Sequence, residues 1–179
     1  MAAAARSPCL FCQIARGSTS TDLLYAVFSF FIYRPLYCAL LFHFHYSFLL
    51  LLLPMQDEMV VAFRDINPSA LRHYLVIPID HIATVKDLQR RTEDHRLVNH
   101  MLNVGKTLLS RDAPESTRYS FGFHQPPLNS VDHLHLHCLA LPFIPSWKHM
   151  KYLSLGPFGG FIEAEKLLGK IKPLSQVTS

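Results

Sequence analysis

A secretory leader, a disulfide framework, a basic stripe and an internal repeat are all missing from this sequence. The first eight residues, Met1 to Pro8, are short and have no apolar core, so they do not read as a secretory signal. Residues 176–179 carry no lipidation or peroxisomal motif. Cytoplasmic or nuclear residence is the expectation. The four cysteines, Cys9, Cys12, Cys38 and Cys138, do not form the pattern of a small disulfide-stapled domain. In a reducing compartment the close pair, Cys9-x-x-Cys12, reads instead as metal or redox chemistry. The net charge is +4, with the basic residues spread along the chain. That gives weak attraction for anions and argues against a specific nucleic-acid platform.

What remains is enough for one domain with a real core: 179 residues. Residues 9–25 are mixed, a short helix or tight turn and then an approach to a strand. Polar and apolar residues alternate again after 56. Residues 59–63 and 73–78 are strand candidates, rich in β-branched and aromatic side chains. Between them, Asp65-Ile66-Asn67-Pro68 is a turn that proline closes. Residues 92–111 form the clearest helix: Thr92 is placed to cap it, and Glu93 and Asp94 suit its positive end. Leu97, Val98, Met101, Leu102, Leu108 and Leu109 fall on one face. Residues 119–123 and 132–141 are two further strands, and 161–171 an amphipathic terminal helix. The fold class is α+β, an antiparallel sheet of about five strands with one long helix and a C-terminal helix.

Residues 26–56 break this pattern. They are almost wholly apolar, and 36–53 approach the roughly 20 residues of a transmembrane helix. One reading is a membrane anchor. The other follows from removing the block, which runs Asp22-Leu23-Leu24-Tyr25 into Asp57-Glu58-Met59-Val60: strand, acidic turn, strand. Lengthening that loop from about 4 to about 35 residues adds only roughly 2 kcal/mol of closure entropy. Residues 1–25 and 57–179 would then be one domain and 26–56 an insertion, with a retained non-coding segment or a mistaken gene model as its origin.

The chemistry is concentrated at His133-Leu134-His135-Leu136-His137. Residues two apart on a strand share a face. Three imidazoles therefore line up, and the leucines point the other way into a core. A buried row of unpaired imidazoles is costly, so a metal or a phosphate should sit over it. Three histidines of one strand converge poorly on a single ion, and no carboxylate stands at a matching spacing. Chance histidines are the bland alternative; strict alternation weighs against it, although the chain has 11.

This motif resembles the defining segment of the histidine-triad superfamily. Three more segments match in order: Cys9-Leu10-Phe11-Cys12-Gln13-Ile14, Phe63-Arg64-Asp65-Ile66-Asn67-Pro68, and His73-Tyr74-Leu75-Val76-Ile77-Pro78-Ile79-Asp80-His81-Ile82. Gly122-Phe123-His124-Gln125-Pro126-Pro127 and the long tail point to the branch near aprataxin, and within it to plant nucleotide-binding members. Some of those are adenylylsulfatases and adenosine 5'-phosphosulfate phosphorylases. The resemblance implies a hydrolase or transferase acting on the α-phosphate of adenosine 5'-phosphoramidates or adenylyl sulfate. The competing expectation is a nucleotide-binding interaction module with little turnover.

The resemblance also implies roles. His135 attacks the α-phosphorus, His137 supports the phosphate oxygens, His73 joins a proton relay, and His133 completes the triad. Asp65 accepts the ribose hydroxyls. Leu10, Phe11, Ile14, Phe63 and Ile66 line the adenine slot, and Ser130 contacts the phosphate or leaving group. By pattern alone Phe11, Ile14 and Phe63 read as plain core, and Asp65 equally as a turn residue. Leu128-Asn129-Ser130 and Gly122 depart from the common phosphate-side pattern, where His124 is a candidate replacement. Zinc-bearing relatives add His81 and His133 to Cys9 and Cys12, a closed structural site that the chemistry does not need. Adenine nucleotides are the expected substrates, and a two-fold homodimer is the expected assembly.

Overall fold

The computed structural model describes residues 9–25, 59–156 and 160–174. The apolar 26–56 segment lies outside the described residues, as does Cys38. A short helix, α1 (Leu10–Ala15), opens the described chain. Gly17, at φ 66°, ends it. Its N–H bonds the Ile14 carbonyl and that of Ser18 the Gln13 carbonyl, the paired closure that a left-handed glycine permits. Then come β1 (Leu23–Tyr25), β2 (Val60–Arg64), β3 (Ala70–Pro78), α2 (Thr92–Asp112), β4 (Tyr119–Gln125), β5 (Leu136–Phe143), β6 (Gly160–Glu163) and α3 (Ala164–Lys170). A 3-10 segment, Ser146–Tyr152, links β5 to β6.

The strands form one antiparallel sheet in the order β1-β2-β3-β5-β4-β6. β1 lies against β2 with Leu23 opposite Phe63, as the hairpin reading requires. β2 reads as a continuous apolar run because both of its faces are covered. Val60 and Ala62 join the large core; Val61 and Phe63 join a smaller one on the other face. β3 divides likewise, Tyr74 and Val76 to the large core, Leu75 and Ile77 to the small one. β5 sends Leu136, Cys138 and Ala140 into the large core. His137 therefore faces the other side, along with His73 on β3.

Four expectations need correction. The sheet has six strands among the described residues, because residues 160–163 form β6 and the terminal helix starts only at Ala164. Phe161 and Ile162 are buried by pairing with β4, which overrides their helical spacing. The α2 cap is Arg91, with Thr92 already helical. Asp94 supplies the polar closure by accepting from the Gln89 N–H at 2.7 Å. Finally, the ladder of β5 begins at Leu136; His133, at a bend, and His135 precede it.

Candidate active site

His135 donates from Nδ1 to the His133 carbonyl at 2.6 Å. A carbonyl only accepts, so the ring's proton is on Nδ1 and the Nε2 lone pair is free. Burial lowers the pKa of this imidazole, which keeps it neutral and nucleophilic at pH 7.

Beside it, His73 and His137 form a chain whose proton positions follow from one backbone group. The Ser69 N–H donates to His73 Nδ1 at 3.3 Å. His73 Nε2 therefore carries the proton and donates to His137 Nδ1 at 2.9 Å. The remaining proton of His137 must then sit on Nε2. That atom is buried and has no hydrogen-bond partner among the described residues. An orphaned buried donor is expensive unless a ligand completes it. Asp65 Oδ2 lies 3.4 Å from His73 Nδ1, and its Oδ1 accepts from the Asn67 N–H at 2.8 Å, the turn function expected of it. Burial outweighs the pull of Asp65 and lowers the His73 pKa to about 4. Burial likewise holds His137 well below the usual imidazole range.

These groups border an open cavity of about 440 Å³, lined by Asp65, Ser69, His73, His124, Ser130, His137, Lys151 and Tyr152 among others. His135 is not in that wall. It lines a separate narrow recess with Thr84, Asn129 and Val131. His124 borders both spaces, with its ring 4.7 Å from that of His137.

His133 turns away from the cavity and is fully buried. Its Nδ1 lies 3.5 Å from Cys9 Sγ, 3.4 Å from Cys12 Sγ and 3.3 Å from His81 Nδ1. Cys12 Sγ is 3.3 Å from His81 Nδ1. The four donor atoms all lie within 4.8 Å of one another. The second nitrogen of His133 donates to the Pro78 carbonyl at 3.0 Å, leaving the Nδ1 lone pair aimed at the cysteines. That is the backing a metal-ligating imidazole receives.

A family model described as the scavenger mRNA decapping enzyme C-term binding matches residues 8–152. The bifunctional adenosine 5'-phosphosulfate phosphorylase/adenylylsulfatase HINT4 of Arabidopsis thaliana is 55% identical over 93% of this chain and 92% of its own length. The chain belongs to the histidine-triad superfamily. The adenosine 5'-monophosphoramidase HINT3 of Mus musculus is 46% identical over 48% of this chain and 51% of its own length. Among solved structures, a HIT family hydrolase from Legionella pneumophila superposes with a TM-score of 0.52 at 28% identity, covering 73% of this chain and 90% of that one.

The triad is thus divided. His137 belongs to the cavity and His135 to the adjoining recess, whereas His133, expected among the catalytic residues, contributes its ring to the Cys9, Cys12 and His81 cluster. Its contact with the site is the carbonyl that His135 uses. The five apolar residues expected around adenine do not form one wall. Phe11, Ile14 and Phe63 are buried in the small core, with the Phe11 ring 5.4 Å from that of His135. Leu10 is 54% exposed and Ile66 99% exposed. Leu10 opens a helix whose other side carries Phe11 and Ile14, and Ile66 sits at the tip of the Asp65 turn. Asp65 and Ser130 do reach the cavity. Cys138 is buried in the large core beneath the triad.

Sequence reasoning missed Lys151 and Tyr152. The Tyr152 ring packs 5.7 Å from His137, 6.2 Å from His73 and 5.3 Å from His124. No motif marks these residues, because the 3-10 segment reaches the site only after β5 has crossed the sheet.

Proposed function

We propose that this triad protein is a nucleotidyl hydrolase and transferase that cleaves adenosine 5'-phosphoramidates and adenylyl sulfate at the α-phosphate. The observation that carries this reading is the proton pattern: a free lone pair on His135 Nε2 beside an orphaned N–H on His137. One attacks phosphorus, and the other meets a phosphate oxygen whose charge grows in the transition state. The phosphorus–leaving-group bond breaks as the His135–phosphorus bond forms. Water then cleaves the nucleotidyl-histidine to release AMP, or phosphate does so to give ADP. His73 fixes the His137 tautomer and relays protons. Asp65 is positioned to accept the ribose diol, with Leu10, Phe11, Ile14, Phe63 and Ile66 on the adenine side and Ser130 on the phosphate side. The names of the 55% identical plant relative and of the monophosphoramidases support the substrate class.

The cluster of Cys9, Cys12, His81 and His133 has the donor set and spacing of a closed tetrahedral zinc site. When bound, the ion would cross-link α1 to the run that carries the nucleophile; no chemical step needs it. A two-fold dimer and cytoplasmic or nuclear residence belong to the same proposal. No helix among the described residues is long and apolar enough to cross a membrane.

The test is AMP release from adenosine 5'-phosphoramidate and from adenylyl sulfate, and ADP formation when phosphate is added. A chain with Tyr25 joined to Gln56 should be soluble, folded and active, whereas the full chain should be prone to aggregate or to associate with membranes while keeping the same strand order, since β1 and β2 need only find each other across a longer loop. AMP from neither substrate would overturn the assignment. Activity of the full chain alone would make residues 26–56 integral to the domain.

A further inference from the structure

The cavity has two unlike ends, and the proposed reaction accounts for only one of them. Asp65, His73, His137 and His124 follow one another: 3.4 Å from Asp65 to His73, 2.9 Å from His73 to His137, and 4.7 Å between the rings of His137 and His124. The carboxylate end suits a ribose. Beside His124, Lys151 lines the cavity, close enough for its charge to act on that imidazole. The neighbouring cation, Lys148, is already committed, donating to Asn67 Oδ1 at 3.0 Å and to the Pro68 carbonyl at 2.7 Å. Lys151 has no hydrogen-bond or ion-pair partner among the described residues.

We propose that Lys151 and the wall formed by Tyr152 and His124 make an oxyanion subsite, which holds the sulfate as it is expelled and the phosphate that replaces it. This rests on the nucleotidyl-transfer reading above. The chemistry of the leaving groups separates the two ends. An amine leaves phosphorus only when it gains a proton, a need that positive charge by itself does not meet and that the histidine relay serves. Sulfate leaves without a proton, but it carries away the electron pair of the broken P–O bond as a dianion. A cation at that position stabilises the charge as it develops. The reverse requirement holds for phosphorolysis, in which a phosphate dianion must approach a phosphorus that already bears anionic oxygen. Its oxygen bonds to phosphorus, the P–N bond breaks, and that electron pair returns to His135 Nε2. The phosphate's own proton stays on the new β-phosphoryl group. Sulfate and phosphate are tetrahedral dianions of similar size, so one subsite can serve the departure of one and the entry of the other.

His124 borders both the cavity and the recess that holds His135, so the two spaces adjoin at the imidazole on which the Lys151 charge acts. The Tyr152 ring packs against His73 and His137, the pair whose proton positions the Ser69 N–H sets. The same segment thus covers the histidine chain and carries the cation.

The experiment compares wild type, Lys151→Met and Lys151→Arg. It measures kcat/KM for adenylyl sulfate and for adenosine 5'-phosphoramidate, and the KM for inorganic phosphate in ADP formation. Losing one charge-assisted hydrogen bond should lower kcat/KM on adenylyl sulfate by roughly tenfold to a hundredfold in Lys151→Met. The phosphate KM should rise by a similar factor. Phosphoramidate cleavage should fall much less, so that the ratio of the two substrates shifts by about tenfold or more. Lys151→Arg should restore most of that ratio. A general structural role would lower both substrates equally and leave the ratio unchanged, which overturns the subsite while the proposed function stands. Wild-type cleavage of the phosphoramidate alone would also overturn it. Cleavage of neither substrate removes the function and the subsite together.

Discussion

His133 and His137 are four residues apart and face the same side of the sheet, yet they serve regions of opposite character. Around His133 every polar atom has a neighbour: one nitrogen is bound to Pro78, and the other faces two sulfurs and the ring of His81. Around His137 one nitrogen is bound to His73 and the other has no hydrogen-bond partner among the described residues. A saturated cluster holds structure together, whereas an unsaturated one awaits a ligand. His135 lies between them, taking its tautomer from the His133 backbone and lining the recess that adjoins the cavity. Variants on the two sides should therefore separate stability from turnover.

The largest expected effect is at the residue that belongs to both. His135→Ala should reduce AMP release by on the order of a thousandfold or more, as loss of a nucleophile does, while AMP still binds in equilibrium titration. Turnover near that of wild type would mean that another group attacks phosphorus. On the cluster side, Cys9→Ser combined with Cys12→Ser should remove about one bound zinc per chain and cost several kcal/mol of stability. Part of the catalytic rate should survive in protein that remains folded. Metal analysis of carefully handled wild type that finds no zinc would reject the cluster as a metal site.

Acid should destabilise the cavity side in the same direction as it does a salt-bridged carboxylate, but in a higher pH window. Burial lowers the pKa values of His73 and His124 from 6.5 to about 4. Between those pH values the unfolded chain binds more protons than the folded one. Stability is therefore full above about pH 6.5 and is lost progressively as pH falls to about 4. His73, which is 3% exposed, should contribute on the order of 2–3 kcal/mol to that loss. Thermal melts of His73→Gln across this window should show a flatter pH dependence; an unchanged slope would mean that His73 is not the titrating group. The smallest of these effects is at the nucleoside end. Asp65→Ala should weaken AMP binding by roughly 1.5–3 kcal/mol, one charged hydrogen-bonding partner. Wild type binding AMP and its 2',3'-dideoxy analogue equally would show that Asp65 serves only its own turn.

Much of the architecture was legible because it rests on local signals. The long helix announced itself through Val98, Met101, Leu102, Leu108 and Leu109, all of which are buried. Asp65-Ile66-Asn67-Pro68 is a turn because Asp65 closes it with its own side chain, a contact two residues long. β6 was hidden because Phe161 and Ile162 satisfy a helical period equally well, and only the edge of β4 decides between the two. The residues expected on the adenine side differ in exposure because burial of Phe11, Ile14 and Phe63 against Val61, Leu75 and Ile77 is a property of the packed sheet. That left the two residues on the outer sides of their turns, Leu10 and Ile66, in solvent.

The sequence by itself determined which residues could take part. Alternation at His133, His135 and His137 puts three imidazoles on one face wherever the run is extended. A two-residue gap keeps Cys9 and Cys12 within reach of one ion. Only the tertiary structure decided what each imidazole does, because a histidine's role depends on which nitrogen holds the proton. For two of them that choice is made by partners distant in sequence, Pro78 for His133 and His73 for His137, while Ser69, four residues before His73, sets the first link of the chain. The register of β3 against β5, with Leu75 opposite His137 and His73 opposite Leu139, brings those partners together. The same register carries the segment after β5 back over the cavity, where Lys151 and Tyr152 complete a wall. No local pattern specifies that wall, since it comes from long-range strand pairing and the exclusion of water from both faces of the sheet.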